Sequence, residues 1–317
     1  MIVSASYKTD IPAFYGEWFM NRVRAGSCKM VNPYGRQVYT VPLDADSVDG
    51  FVFWTKNLGP FLHALHEVRD LGFPFMVQYT INGYPRALEY SATDAERSCE
   101  HMRRLARTFG PGVAVWRYDP VIVTSATPRD WHAQNFERLA RKLSGSTDEV
   151  VISFAHFYAK TRRNLAAAAR AFHFTFEDPE DSWKRETAAR LAEIAGRYGM
   201  RLSLCSQPEY LSGSAGEARC VDAARLSRVA GKRISAELKG NRPGCGCHAA
   251  RDIGEYDTCP MGCVYCYAVQ HRTLARRRFK EHDPRNPFLF APPVAPPVAP
   301  QQAAARAGAG AAPSPEA

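Results

Sequence analysis

An α/β fold, built as a partial (β/α)6 TIM-like barrel, follows from three observations on this 317-residue chain. Short β-branched or aromatic runs alternate six times with longer helical patterns, the signature of parallel strands joined by helical crossovers. Two of these runs are nearly continuously apolar, as strands buried on both faces must be. Each run also ends in polar residues, and a site fed from six C-terminal strand ends forms most readily when the sheet curls so that they converge.

The elements run in order. "IVSAS" (2–6) precedes a helix expected over 12–25, and "GFVFWT" (50–55) precedes one over 59–71. "FMVQYTI" (75–81) is followed by 93–109, with Thr93-Asp94 placed to cap. "VAVWRYD" (113–119) leads to 128–143. "VVISFAH" (150–156) leads to an alanine-rich helix from 160 and a second near 183–198. "RLSLC" (201–205) leads to a helix near 217–230. The first strand lacks a G-x-G-x-x-G turn, which argues against a dinucleotide-binding open sheet. Residues 1–240 are read as the barrel core, 241–290 as a cysteine-rich loop and helix packed on it, and 291–317, with its "APPVAPPVAP" repeat, as a disordered tail.

Composition narrows the setting. Hydrophobic residues make up 45% of the chain, enough for a sizeable core. No run of about 18 apolar residues exists to span a bilayer, and MIVSASYKTD carries no export signal, so a cytoplasmic protein with no membrane partner is expected. The net charge of +9 permits a polyanionic partner. The densest basic stretch, "HRTLARRRFK" (271–280), has Phe279 as its one aromatic, so nucleic-acid binding there is not favoured.

Five of the nine cysteines, residues 245, 247, 259, 263 and 266, fall within 22 residues. In a reducing compartment such clustering points to metal or redox chemistry. Cys259, Cys263 and Cys266 form C-x3-C-x2-C, three soft ligands in one loop. On a 4Fe–4S cluster three thiolates leave one iron open to a small molecule. A zinc ribbon, completed by Cys245 or Cys247, stays open, because structural zinc takes four ligands. Cys205, Cys220, Cys245 and Cys247 could hold a second Fe–S cluster or a zinc ion; the bland reading is that Cys205 and Cys220 pack as small hydrophobes.

Among the strand-end residues, Arg117 and Asp119 share one face of "WRYDP" while Trp116 and Tyr118 share the other. They are candidates for substrate or cofactor contact, or for a buried ion pair. Lys56 is a candidate for carboxylate binding or proton donation, or a solvated loop lysine. Asp10, before Pro12, is read first as a helix cap.

The form of the loop, C-x3-C-x-aromatic-C with Tyr265 before the last cysteine, resembles the cluster loop of radical S-adenosylmethionine (radical SAM) enzymes. "CVYCYA" is similar to the spore photoproduct lyase branch. The resemblance implies a 4Fe–4S cluster whose open iron chelates SAM, a 5′-deoxyadenosyl radical made by one-electron cleavage, and a (β/α)6 partial barrel. Lys56, Arg117 and Asp119 then become catalytic candidates, and Ser4, Thr9, Asp10, Thr55, Ser153 and Tyr265 cofactor-binding ones. A substrate, small or macromolecular, and an electron donor such as ferredoxin or flavodoxin are implied as partners. In that superfamily the loop follows the first strand; here it follows all six expected strands, which implies a circular permutation. Up to about residue 290 the chain also resembles the family called domain of unknown function 1848, through "TDIPAFYGEWF" (9–19), "VFWTKN" (52–57), "WRYDP" (116–120), "ISF" (152–154) and "CGCHAARDIGEYDTCPMGCVYCYA" (245–268). It departs at "SASYKTDIP", where that family more often has arginines. The competing class is a non-catalytic Fe–S or zinc protein using 271–280 to bind nucleic acid.

Overall fold

The computed structural model describes residues 1–32 and 35–290. The tail expected to be disordered lies outside the described residues. In chain order the strands are β1 (Ile2–Ala5), β2 (Ser27–Val31), β3 (Val38–Pro42), β4 (Gly50–Thr55), β5 (Phe75–Thr80), β6 (Ala114–Val121), β7 (Val123–Thr124), β8 (Glu149–Phe154), β9 (Phe176–Glu177), β10 (Arg201–Leu204), β11 (Gly216–Glu217) and β12 (Ala250–Asp252). The helices are α1 (Ile11–Phe14), α2 (Gly16–Arg24), α3 (Ala64–Asp70), α4 (Ala95–Phe109), α5 (Arg129–Leu143), α6 (Ala159–Phe172), α7 (Asp181–Arg197), α8 (Ala223–Ala230) and α9 (Arg272–Lys280).

Eight strands form one sheet in the order β11-β10-β8-β6-β5-β4-β1-β12, and every pairing in it is parallel. All six expected strands are in it, adjacent in chain order. The sheet is open: β11 and β12 are its two edges. These edge strands are the additions to the expected six. Each is three residues or shorter, too brief for alternation to register.

The two faces of the sheet differ. Phe51, Phe53, Phe75, Val77, Trp116, Val150, Ile152 and Leu202 point to one side, into a core shared with Trp18 and Phe19 of α2, Leu65 of α3, Leu105 of α4, Phe136 of α5 and Leu191 of α7. Full burial of one such phenylalanine contributes about 1.5–3 kcal/mol. Alternate residues Ile2, Val52, Met76, Val115 and Val151 point the other way. They meet Ala218, Val221, Leu226 and Ile234, from a segment after β11 that plugs this second face. Arg225 of α8 fastens the plug to the N-terminal strand ends, through Asp148 at 2.7 Å, Glu149 at 2.8 Å and the Gly112 carbonyl at 2.9 Å.

Three expected helices are shorter than their patterns. The 12–25 helix breaks at Tyr15 (φ −129°, ψ 22°) into α1 and α2. Gly16 there lets Phe61 approach to 2.7 Å of where a Cβ would stand. The 59–71 helix opens as a 3-10 turn, Gly59–Phe61, before α3. The 217–230 pattern starts late because Gly216–Glu217 is β11, and Asp222 caps α8 by accepting from Ala224 N. The β2–β3 antiparallel hairpin was not anticipated. Among the described residues no helix is long and apolar enough to cross a membrane.

Candidate functional site

The position of the cysteine loop is set by β12. This strand pairs in parallel with β1, and Ile253 N continues the ladder by donating to Ser4 O at 3.0 Å. At its end the buried Asp252 carboxylate accepts from Ser4 Oγ (2.8 Å), Ser6 Oγ (2.8 Å), Tyr7 N (3.0 Å) and Gly254 N (3.0 Å). Gly254 has no room for a side chain, since Ser6 Oγ lies 2.0 Å from where a Cβ would stand. The chain therefore leaves β12 at the C-terminal ends of the strands. From there it crosses to the loop after β5: Val264 N donates to Leu88 O (3.0 Å), Ser91 N to Met261 O (3.1 Å), and Cys263 bridges Glu89 in antiparallel fashion. Tyr15 Oη anchors the start of the loop on Thr258 O at 2.6 Å.

Cys259, Cys263 and Cys266 are half-buried and feel one another electrostatically. Burial, then Asp10 and Cys266, push the Cys259 thiol up to about 12. Burial also raises Cys263 well above the ordinary thiol range, against the pull of Lys56. Three desolvated thiols that repel one another as thiolates ionise readily only when a cation joins them. Among the described residues no group of three or more His, Cys, Asp or Glu stands in position to hold a metal ion. The thiolates of a 4Fe–4S cluster bind separate irons and need not converge on one point.

Behind Cys263 lies a hub that sequence reasoning missed. Glu89, nearly inaccessible in a stretch without motif or period, accepts from Lys56 Nζ at 2.8 Å, from Asn82 Nδ2 at 3.0 Å and from the Tyr265 hydroxyl. Burial works against the Lys56 ammonium, but Glu89 and then Cys263 hold its pKa above the usual lysine value. Lys56 Nζ also sits 5.6 Å from the centre of the Tyr265 ring. Asn82 joins this hub to the next by accepting from Asp119 N at 2.9 Å. There the Asp119 carboxylate accepts from Arg117 and from Ser153 Oγ, and Arg117 stacks on Trp54 at 5.2 Å. Burial would raise the Asp119 pKa, but Arg117 keeps it below the usual carboxylate range. A cavity of 170 Å³ opens beside the first hub, lined by Lys56, Thr80, Asn82, Arg86, Glu89 and Arg138.

Lys56, Arg117, Asp119, Ser153 and Tyr265 thus come together at the strand ends. Trp116 and Tyr118 point into the helix-side core, as the alternation requires. Asp10 caps α1 by accepting from Ala13 N at 3.0 Å and also takes the Lys56 amide at 2.7 Å. Burial lifts its pKa to about 6. Thr55 Oγ1 is occupied by Asn57 N at 2.9 Å, and Ser4 by Asp252 and the Trp54 indole at 3.1 Å. Thr9 Oγ1 is buried with no hydrogen-bond partner among the described residues. His156 contacts Gln207 at 3.2 Å, away from these hubs.

The other four cysteines also meet. Cys205 directly follows β10, Cys220 follows β11, and Cys245 and Cys247 lie in the run that returns to β12. Cys205 Sγ and Cys220 Sγ are 3.6 Å apart, and Cys247 is close enough to interact electrostatically with Cys220 and Cys245. Arg117 Nη1 reaches Cys220 Sγ at 2.9 Å, which ties this group to the Asp119 hub.

The helix 271–280 forms as expected, but its one aromatic is engaged: Phe279 packs edge-on against Phe14 (5.5 Å) and Tyr15 (5.6 Å). A family model described as "Domain of unknown function (DUF1848)" matches residues 2–268. No curated protein matches the chain.

Proposed function

Since the chain belongs to the family described as domain of unknown function 1848, a description without a reaction, we propose from its own residues that it is a radical SAM-type iron–sulfur enzyme on a permuted partial barrel. One observation carries the reading. Taken from β12, the sheet runs β12, β1, β4, β5, β6, β8, β10, β11: the last strand of the chain, with the C-x3-C-x2-C loop directly after it, followed by seven parallel strands in chain order. This is the place the resemblance assigns to a cluster loop, reached by starting the chain one strand later. Helices α2 to α5 and α7 on one face, with α8 alone on the other, and strand-end polar groups gathered beside the loop support the same arrangement.

The residues present fit the implied group. Cys259, Cys263 and Cys266 are three thiols with mutual repulsion that a cationic cluster would relieve, and the donor set is soft. Held by Cys259, Cys263 and Cys266, a 4Fe–4S cluster would supply one-electron reduction chemistry toward SAM. Reducing it calls for a low-potential donor of the ferredoxin or flavodoxin kind.

The chain's own residues have separable tasks. Lys56 has ammonium donors beyond the one given to Glu89 and stands on the cavity wall, so it binds a carboxylate or donates a proton there. Glu89 and Tyr265 hold Lys56 in place, and Glu89 keeps it charged. Asp119, fixed by Arg117 and Ser153, stays ionised and positions groups entering from the mouth. Thr9, the one strand-end hydroxyl of the set left unpartnered among the described residues, is the candidate for a direct polar contact to the cofactor.

Anaerobic purification tests the metal part. The expected product is brown with about four irons per chain, lost in Cys263→Ala. A colourless preparation whose zinc depends on Cys263 would overturn it.

A further inference from the structure

The second cysteine group carries an inference that stands apart from the radical reading. We propose that Cys205, Cys220, Cys245 and Cys247 bind one Zn2+ ion as a tetrathiolate site that staples the plug segment to the end of β10. Tetrahedral zinc with Zn–S bonds of about 2.3 Å places its sulfurs roughly 3.8 Å apart. Cys205 and Cys220 already stand at 3.6 Å. A second Fe–S cluster would ask each thiolate to hold a different iron and would drive the sulfurs apart, so the contact favours a single ion.

The surroundings point the same way. A zinc ion with four thiolates carries a net charge of −2, which a buried site must offset. Arg117 Nη1 donates to Cys220 Sγ at 2.9 Å, Arg242 Nη2 to Cys205 Sγ at 3.6 Å, and Val221 N to Cys247 Sγ at 3.4 Å. Two guanidiniums and a backbone amide aimed at three sulfurs are donors suited to thiolates and ill suited to neutral thiols. Between α8 and β12 the chain also runs from 231 to 249 with no helix or strand, held by the isolated Leu238–His248 bridge and by backbone bonds such as Lys239 N to Cys247 O (2.9 Å) and His248 N to Val221 O (3.0 Å), which bring Cys247 back to the segment of Cys220. An irregular run of this length in a compact domain is usually functional.

As placed, the Cys205–Cys220 pair stands at tetrahedral spacing but the four sulfurs do not close a tetrahedron, in keeping with the absence of a ready-made metal site among the described residues. Closing it takes rotation of side chains, and zinc binding then supplies order to the plug.

The test uses the full chain, purified anaerobically without iron reconstitution and stripped with a chelator, then titrated with Co2+. One Co2+ per chain is expected, with the visible bands of a tetrahedral thiolate complex, displaced by Zn2+. Cys205→Ser and Cys247→Ser should abolish the bands, and Cys263→Ala should leave them. Where a serine variant fails to fold, thiol alkylation of the wild-type chain read by mass spectrometry decides. Zn2+ should slow modification of these four cysteines at least tenfold, and chelation should reverse it. The proposal fails if Co2+ uptake is absent, if it follows Cys263 instead, or if the Cys259/Cys263/Cys266 triple alanine variant takes up iron as a cluster. Failure of the radical reading would appear in the Cys263 variant and leave this outcome untouched.

Discussion

Glu89→Gln is the sharpest perturbation of the hub. The change keeps shape and an acceptor oxygen but removes the charge opposite Lys56, whose side chain is 15% exposed against 6% for Glu89. Deleting one partner of a buried ion pair costs about 3–5 kcal/mol, because the other charge is left without compensation. Lys56 retains attraction from Asp119, which places the expected loss near the lower end, about 3 kcal/mol. Replacing both partners, Lys56→Met with Glu89→Gln, removes the stranded charge and should recover about 1.5 kcal/mol or more relative to Glu89→Gln alone. The assay is urea unfolding of metal-free protein under reducing conditions at pH 7, with the two single variants and the double variant compared. A loss below about 1 kcal/mol for Glu89→Gln, or additive effects in the double variant, would refute a buried, coupled pair.

Three other outcomes are expected. His132, buried between Tyr118 Oη (3.0 Å) and Ile122 O (3.1 Å), has its pKa lowered to about 4 by burial. The unfolded chain takes up a proton near pH 6.5 that the folded chain refuses until about pH 4, so stability should fall by about 3 kcal/mol between those values. Denaturation midpoints across that range should flatten in His132→Gln; an unchanged slope would contradict the assignment. Arg225→Ala strands the buried Glu149, which keeps only Arg201 and Ser203, and should cost about 3–5 kcal/mol, with faster amide exchange across 218–248. Protection there equal to wild type would mean the plug is held by other contacts. Cys99→Ala, in the helix-side core of α4 and away from both cysteine groups, should lose stability without changing metal content, as metal analysis would show.

Much of the sheet was legible because its strands are long enough to alternate. Trp116 and Tyr118 went to the helix side and Arg117 and Asp119 to the other, as period two demands. Strands β11 and β12 were not legible, since two or three residues carry no period and their pairing is decided by tertiary contacts. That omission matters, because β12 sets where the cysteine loop lies. In the site, the cysteines announced themselves by spacing, and Lys56, Arg117 and Asp119 by their places at strand ends. Glu89 and Asp252 did not. Glu89 lies in an irregular stretch and Asp252 at the end of a three-residue strand; each is a single acid made important by donors as far as 176 and 248 residues away in sequence. Arg242 was hidden for the same reason, in a run where glycine and proline mask any pattern. Asp10 did what its place before α1 suggested, and capped the helix.

The central claim is that the loop 259–266 and the strand ends beneath it form a reaction site that cleaves SAM. The direct measurement is 5′-deoxyadenosine formed on incubating anaerobically reconstituted protein with dithionite and SAM. The account predicts 5′-deoxyadenosine from the wild-type chain, none from Cys263→Ala, and a reduced yield from Thr9→Val at unchanged iron content. Fully loaded protein that leaves SAM intact would contradict it.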